Sequence, residues 1–542
     1  MHDARLDTMR TLVPLTIATL QLAFWLVGGL VAGAASTWAA TRLPLRALRR
    51  HPHAHWTERA RLVWPIRKGM SVACASTAAA VCTHAWLSSA SSFTLEPAVA
   101  VPTAFVGVYL GAFLVRRRVS AETRSRPAPL RTDLRHDGLT WILLAPHWAL
   151  VLAILWLVGT EFEARDLVFL AIGALVHAPV AFLGGLPIAK RLGLAMPASA
   201  RLQRIVEQAS RDAGIPFSAC WEIDWSMANA FAYPWSRELV FTQALVRALD
   251  DEEIRGVALH ELGHVGEDLP TRLTRSAAVL AIFPLCGVGL VLDRFGPMAS
   301  LGVLALSLGV PAVAMRRLQR FEARADEFAT RVTGDPARYA RALETVYRTN
   351  LIPAVLSGRK THPDLHDRMA GAADGPADPR PAPPSRRAVE AASGVALVVG
   401  FVFATGMNIA WRALEPAWRL DPTALAHRAV ALRRGDELFA IASRHASSDP
   451  DYAIRLMVAL AERTPEDHDA AAYSATLLSG QGRCDEARSA LAAARARAAS
   501  ERVERCSWLT GAVEAVELAC SSATRPATRR NAEARLPESA GP

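Results

Sequence analysis

Eight apolar runs divide this chain, at about 11–36, 69–91, 97–115, 140–159, 167–187, 276–292, 298–315 and 388–411. Most are long enough to cross a bilayer as a helix. Backbone in hydrocarbon must satisfy its own hydrogen bonds, so runs of this length predict a mainly α-helical, polytopic membrane protein. The charged residues lie between the runs. That is how a chain with 51% hydrophobic residues carries 21% charged ones and a mean hydropathy of only +0.17. The first run lacks a convincing small-residue cleavage site and reads as a retained span.

The net charge of +10 is mostly arginine, and it clusters beside the apolar runs. This favours membrane orientation over nucleic-acid binding, for which no signature is present. Segments 42–68, 116–138, 190–275 and 316–387 hold the excess Lys and Arg, whereas 88–96, 160–166 and 293–298 hold few. Eight spans would put every basic segment in the cytoplasm and the C-terminal domain outside. The expected setting is a bacterial inner membrane, with that domain in the periplasm. The pair at 276–315 is the one most prone to be buried or re-entrant, and DRFGPM between its runs suits a tight hairpin.

One polar segment carries a chemical pattern. Val257–Gly266 reads VALHELGHVG. Its apolar residues predict a buried helix, with the acidic run Asp250–Glu253 at its start, where negative charge favours helix initiation. His260 and His264 are four apart and share a face, so their imidazoles can converge on one metal ion. Glu261 can reach a water on that metal. Two His and a Glu in this spacing are the zincin pattern, implying one Zn2+ per chain. Catalytic zinc needs a third protein ligand, and RRLQRFEARADEFATRVTG offers Glu322. Asp326, four residues on, can fix the tautomer of a ligand imidazole. Taken alone, this stretch reads equally well as an amphipathic helix with a solvated Arg/Glu/Asp face.

HELGH, the apolar hairpin after it and E-x-R-A-D-E-F-A resemble the M48 metallopeptidases, the group of the membrane protease HtpX. Met227–Phe231 (MANAF) followed by RELVFTQALVRAL is similar to that family's N-A-F strand and the segment leading into its active-site helix. Thr361–Arg368 is similar to its T-H-P-x-x-x-x-R motif. The resemblance covers about 200–370. It implies zinc on His260, His264 and Glu322, with Glu261 as general base. It places His362 at the oxyanion and Arg368 behind the site. Asn229, with Ala230 and Phe231, would lie along a substrate edge strand. Peptide substrates at or near the bilayer follow.

Residues 413–542 are rich in Ala, Arg and Glu. DAAAYSATLLSGQGRCDEARSALAAARARA predicts two helices around a turn, similar to tetratricopeptide helices; a generic bundle is equally open. Of Cys484, Cys506 and Cys520, two could pair in an oxidising compartment. The expected fold is thus a mainly α polytopic membrane protein with a zincin-type (α+β) metallopeptidase domain and a C-terminal α-helical domain. Residues 1–189 form an N-terminal membrane domain of about five spans, and 190–387 a metallopeptidase domain interrupted by the hairpin at 276–315. A span at 388–411, a soluble helical domain at 412–524 and a disordered tail at 525–542 complete it. The expected activity is membrane zinc endopeptidase. A sensor metallopeptidase with an M56-like role is the alternative, as is a scaffold binding a protein partner through its C-terminal helices.

Overall fold

Long helices account for the apolar runs. The computed structural model describes residues 2–90, 97–124, 129–158, 164–356, 364–370, 380–418, 421–431, 435–464, 468–500 and 507–523. His362, Cys506 and the tail expected from 525 lie outside them. The N-terminal block consists of α1 (His2–Arg49), α2 (Trp56–Ala90), α3 (Pro97–Arg124), α4 (Leu130–Leu144), α5 (Pro146–Leu157), α6 (Ala164–Leu183) and the short α7 (Leu186–Arg191).

Among the described residues, six helices are long and apolar enough to cross a membrane. They are Thr19–Arg49, Val99–Thr123, Arg165–Leu183, Leu269–Leu292, Arg294–Thr333 and Arg386–Trp411. Leu175, Met298 and Phe401 in these segments are 75%, 77% and 66% exposed, as lipid-facing side chains would be. The chain is a multi-pass membrane protein. The run at 69–91 falls in α2, outside these six, where Ser71, Ser76 and Thr77 dilute its apolar character. The run at 140–159 is bent by 85° between α4 and α5. Pro146 lacks an N–H and disfavours helical geometry at Ala145, whose φ is −132°.

Small residues let α1 and α3 approach closely. A side chain at Gly111 would place its Cβ 2.0 Å from Leu30 O, and one at Gly33 2.1 Å from Val108 O. Gly29/Gly33 and Gly107/Gly111 are each four apart, the spacing by which membrane helices bring backbones together.

Next comes a small sheet. Its elements are β1 (Ala195–Pro197), α8 (Ala200–Ala213), β2 (Ala219–Ile223), β3 (Ala230–Tyr233), β4 (Glu238–Thr242), α9 (Gln243–Ala248) and α10 (Asp251–Val265). The strand order is β1-β2-β4-β3, with β2 and β4 parallel and the other pairs antiparallel. β3 pairs on one side only, Ala230 opposite Phe241, and is therefore an edge. Leu202 and Val206 of α8, Leu239 and Phe241 of β4 and Ile254, Leu259 and Leu262 of α10 form the core beneath it. A capping box starts α10: Asp250 Oδ1 accepts from Glu253 N, and Glu253 Oε2 accepts from Asp250 N. Such caps stabilise a helix by about 1 kcal/mol.

The hairpin follows as α11 (Leu269–Leu280), a 3₁₀ turn at Phe283–Gly287 and α12 (Val288–Thr333). Gly296, at φ 79°, breaks α12 before Pro297. This is the expected tight turn, in a conformation that favours glycine. From Pro297 a single helix returns out of the apolar region and continues to Thr333. α13 (Pro336–Asn350), α14 (Leu365–Ala370) and α15 (Arg386–Trp418) complete this part. Leu26–Cys82 and Pro102–Thr405 together form one compact unit.

The second unit includes six C-terminal helices: α16 (Pro422–Ala431), α17 (Asp436–His445), α18 (Pro450–Arg463), α19 (His468–Gly480), α20 (Cys484–Ser500) and α21 (Ser507–Ala523). They share a core containing Leu425, Leu438, Tyr452, Leu460, Leu478, Leu491 and Val516. α19 and α20 are the two helices expected around a turn. A disulfide joins Cys484 to Cys520, linking α20 to α21.

Candidate active site

α10 presents His260, Glu261 and His264 to a cavity of about 430 Å³. Edge strand β3, with Asn229, Ala230 and Phe231, forms one wall; Glu322, Arg275, Tyr339 and Arg368 line the others. His260 Nε2 and His264 Nε2 lie 3.6 Å and 3.5 Å from the same atom, Glu322 Oε2. All three residues are buried, their side chains at most 10% exposed, and their ligand atoms fall within 4.8 Å of one another. Ligands about 2.1 Å from a tetrahedral ion sit roughly 3.4 Å apart. Two imidazole nitrogens and a carboxylate oxygen at these distances fit a zinc-type ion with little movement.

Each imidazole is held from behind. His260 Nδ1 is 2.9 Å from Asp326 Oδ1 and 3.0 Å from Tyr339 Oη. Tyr339 donates to Asp326 Oδ1 (2.8 Å), and Arg368 donates to both Asp326 and Tyr339. His264 Nδ1 is 2.8 Å from Glu267 Oε1, and Arg275 grips both oxygens of Glu267 at 2.7 Å and 3.0 Å. Ionised carboxylates only accept, so each Nδ1 carries a proton, which leaves each Nε2, aimed at Glu322, as the atom that would bind a metal.

The surroundings favour positive charge at this point. Burial alone would lower the pKa of His260, but hydrogen bonds to Asp326 and Glu322 carry it up to about 10. His264 is raised in the same way: burial opposes it, Glu267 and Glu322 prevail. Burial pushes Glu267 up, yet His264 and Arg275 hold it below the usual carboxylate range. A field that stabilises a proton on two imidazoles also stabilises a dication between them.

The edge strand is fixed independently. Asn350, at the end of α13, accepts from Ala228 N (3.0 Å) and donates to Ala228 O (2.7 Å). Asn229 N donates to Thr242 Oγ1 and Asn229 O accepts from Thr242 N, both at 2.9 Å. Arg67 of α2 donates to the carbonyls of Asn350 (2.6 Å) and Leu351 (3.1 Å), tying the N-terminal block to the same corner.

The structure thus brings His260, Glu261, His264, Glu322, Asp326, Arg368, Asn229, Ala230 and Phe231 around one cavity. Sequence reasoning missed Glu267, Arg275, Tyr339 and Asn350. Only Glu267 gave a local sign, an acid three residues beyond His264.

Comparison with known proteins agrees with this geometry. The profile of "Peptidase family M48" matches residues 198–374. A protease HtpX homolog of Kineococcus radiotolerans is 30% identical over 236 residues, 38% of this chain and 78% of that protein. One of Pseudarthrobacter chlorophenolicus is 31% identical over 281 residues, 43% of this chain and 95% of that protein. With the HExxH helix and an acidic third member of the cluster in place, this chain belongs to peptidase family M48, as an HtpX-like, membrane-associated metalloprotease.

Proposed function

We propose that the chain is a zinc-dependent endopeptidase of zincin type that cuts proteins in or beside the membrane. One observation carries this reading: His260 Nε2, His264 Nε2 and Glu322 Oε2 converge in a cavity that also holds Glu261 and runs beneath an unpaired strand edge. Bound on these three side chains, zinc would polarise the substrate carbonyl and acidify water. Glu261, the carboxylate left over, takes the proton from the attacking water and returns it to the departing amine. The free edge of β3 at Asn229–Phe231 holds the substrate extended, by strand addition. His362 stabilises charge on the carbonyl oxygen, a role that rests on its motif. Asp326, Tyr339 and Arg368 orient His260; Glu267 and Arg275 orient His264.

The bilayer defines which substrates reach the site. Glu322 lies on the helix that returns from the hairpin, so α10 and the Glu322 segment share one side of the membrane. The basic segments support the cytoplasmic side of a bacterial inner membrane. α15 then carries the C-terminal domain across. The Cys484–Cys520 disulfide supports an oxidising, periplasmic-type setting for it. There its helices are available to a protein partner.

The test is Glu261→Gln in the full-length protein. We expect bound zinc unchanged at one per chain and proteolysis lowered by at least about 100-fold, the low end for a general base. Undiminished cleavage would overturn the assignment. Comparative membrane proteomics of cells carrying either form identifies substrates as proteins that accumulate uncut.

A further inference from the structure

A second concavity, separate from the catalytic cavity, lies at the mouth of the hairpin. It is a groove of about 480 Å³ between α11 and α12, lined by Thr271, Thr274, Arg317, Arg320, Phe321 and Arg324. Arg317, Arg320 and Arg324 follow one another at three and four residues, so they share a face of α12. All three are exposed. Among the described residues, none has a carboxylate within ion-pair distance, though Arg324 helps to lower the pKa of Asp268. Arg324 is nonetheless held in place. It donates to Thr271 Oγ1 at 3.2 Å and stacks over Phe321 at 4.9 Å. Three guanidiniums along one helix face, one of them pre-positioned, offer donors for a phosphate group.

The location says which phosphate. Upstream on α12, Leu306, Leu308, Val313 and Met315 are 40–59% exposed and face hydrocarbon. Arg317 and Arg320 come next, at the depth of lipid headgroups. Across the groove, α11 exposes Leu269 (57%) and Leu273 (46%) one turn apart. Cationic head contacts beside apolar surface suit a molecule with an anionic head and acyl chains. We propose that this groove binds the headgroup of an anionic phospholipid.

The site adjoins the catalytic apparatus. Two guanidiniums lie over the Phe321 ring, Arg324 at 4.9 Å and Arg275 at 5.5 Å. Arg275 is bonded to Glu267, and the residue after Phe321 is Glu322. A headgroup in the groove therefore sits against the helical turn that presents Glu322.

The test is native mass spectrometry of the full-length protein in detergent, titrated with phosphatidylglycerol or with phosphatidylcholine of the same chains. We expect wild type to retain one phosphatidylglycerol in preference to phosphatidylcholine. Each basic group at an anionic surface contributes about 1 kcal/mol, so Arg317→Gln/Arg320→Gln should weaken retention roughly 30-fold. Arg46→Gln/Arg50→Gln removes equal charge from two exposed arginines elsewhere and should leave it unchanged. Equal retention by the groove variant, or equal loss in the control, would overturn the proposal. Displacement of the lipid by millimolar inorganic phosphate would also overturn it, identifying a free-anion site instead.

Discussion

Glu267→Gln tests how the metal site is held. The Glu267 side chain is 7% exposed, and its oxygens take His264 Nδ1 at 2.8 Å and Arg275 at 2.7 Å and 3.0 Å. The amide keeps the volume but replaces one acceptor with a donor, so the groups facing it cannot all be served. His264 then keeps at best a neutral acceptor, contested by Arg275, in place of the carboxylate that fixes its tautomer. Arg275 loses its counter-ion, and the next acid within reach is Glu322 Oε1, 3.6 Å away. The first loss misorients a ligand; the second sets a guanidinium in competition with the metal for Glu322. Losing a carboxylate behind a ligand histidine costs about 10–100-fold in metal affinity, or about 1.4–2.7 kcal/mol. The competition from Arg275 places this variant toward the upper end. The assay is zinc binding against a graded chelator, with proteolysis measured at saturating zinc. Affinity should fall while activity at saturating zinc returns close to wild type. Adding Arg275→Gln should restore part of the affinity by removing the competing cation. Zinc held as tightly by Glu267→Gln as by wild type would refute the reasoning.

Three further outcomes follow from the geometry. Asn350→Ala removes both hydrogen bonds to Ala228, each worth about 1 kcal/mol, so KM for an extended peptide should rise by up to roughly 30-fold with kcat less affected; steady-state kinetics check this. Gly111→Val forces Leu30 O away from a Cβ built 2.0 Å from it and should cost about 1–3 kcal/mol or more, seen as a lower Tm. Gly302→Val, with nothing within 4 Å, should be silent. Glu238 gives a pH signature. Burial works to raise its pKa, but hydrogen bonds from Lys190 (2.8 Å), Ser236 and Trp221 bring it below the ordinary value. A depressed folded pKa adds stability above the unfolded value and loses it as pH falls through the folded one. Melting curves of wild type and Lys190→Met should therefore differ at neutral pH and converge in strong acid.

How much of this the sequence could disclose depended on the range of each interaction. His260, Glu261 and His264 were legible because one helical turn sets their relation, and Glu322 with Asp326 for the same reason. The tight turn at Gly296 was legible from a Gly-Pro pair, since few residues other than glycine tolerate that backbone. The bend at Ala145 was equally legible in Pro146, but the apolar run around it read as a single span. Glu267, Arg275, Tyr339 and Asn350 belong to another class. Arg275 reaches the site because α11 leaves the loop after Gly266 at the angle that lays its second turn beside Glu267. Tyr339 and Asn350 reach it because α13 folds back over α10. Those are properties of the chain path, not of any local spacing. Nor is their order arbitrary: apart from Asp326, the residues that spacing revealed are the ones that would touch the metal or its water, while the ones it concealed hold those residues in place. The hairpin explains the asymmetry. It separates His264 from Glu322 by 58 positions in sequence yet returns the second helix beside the first, so the site closes only when the two arms of the hairpin pack side by side. The contacts that close it come from the elements flanking the hairpin, which makes the folding of the hairpin part of the assembly of the His–Glu cluster.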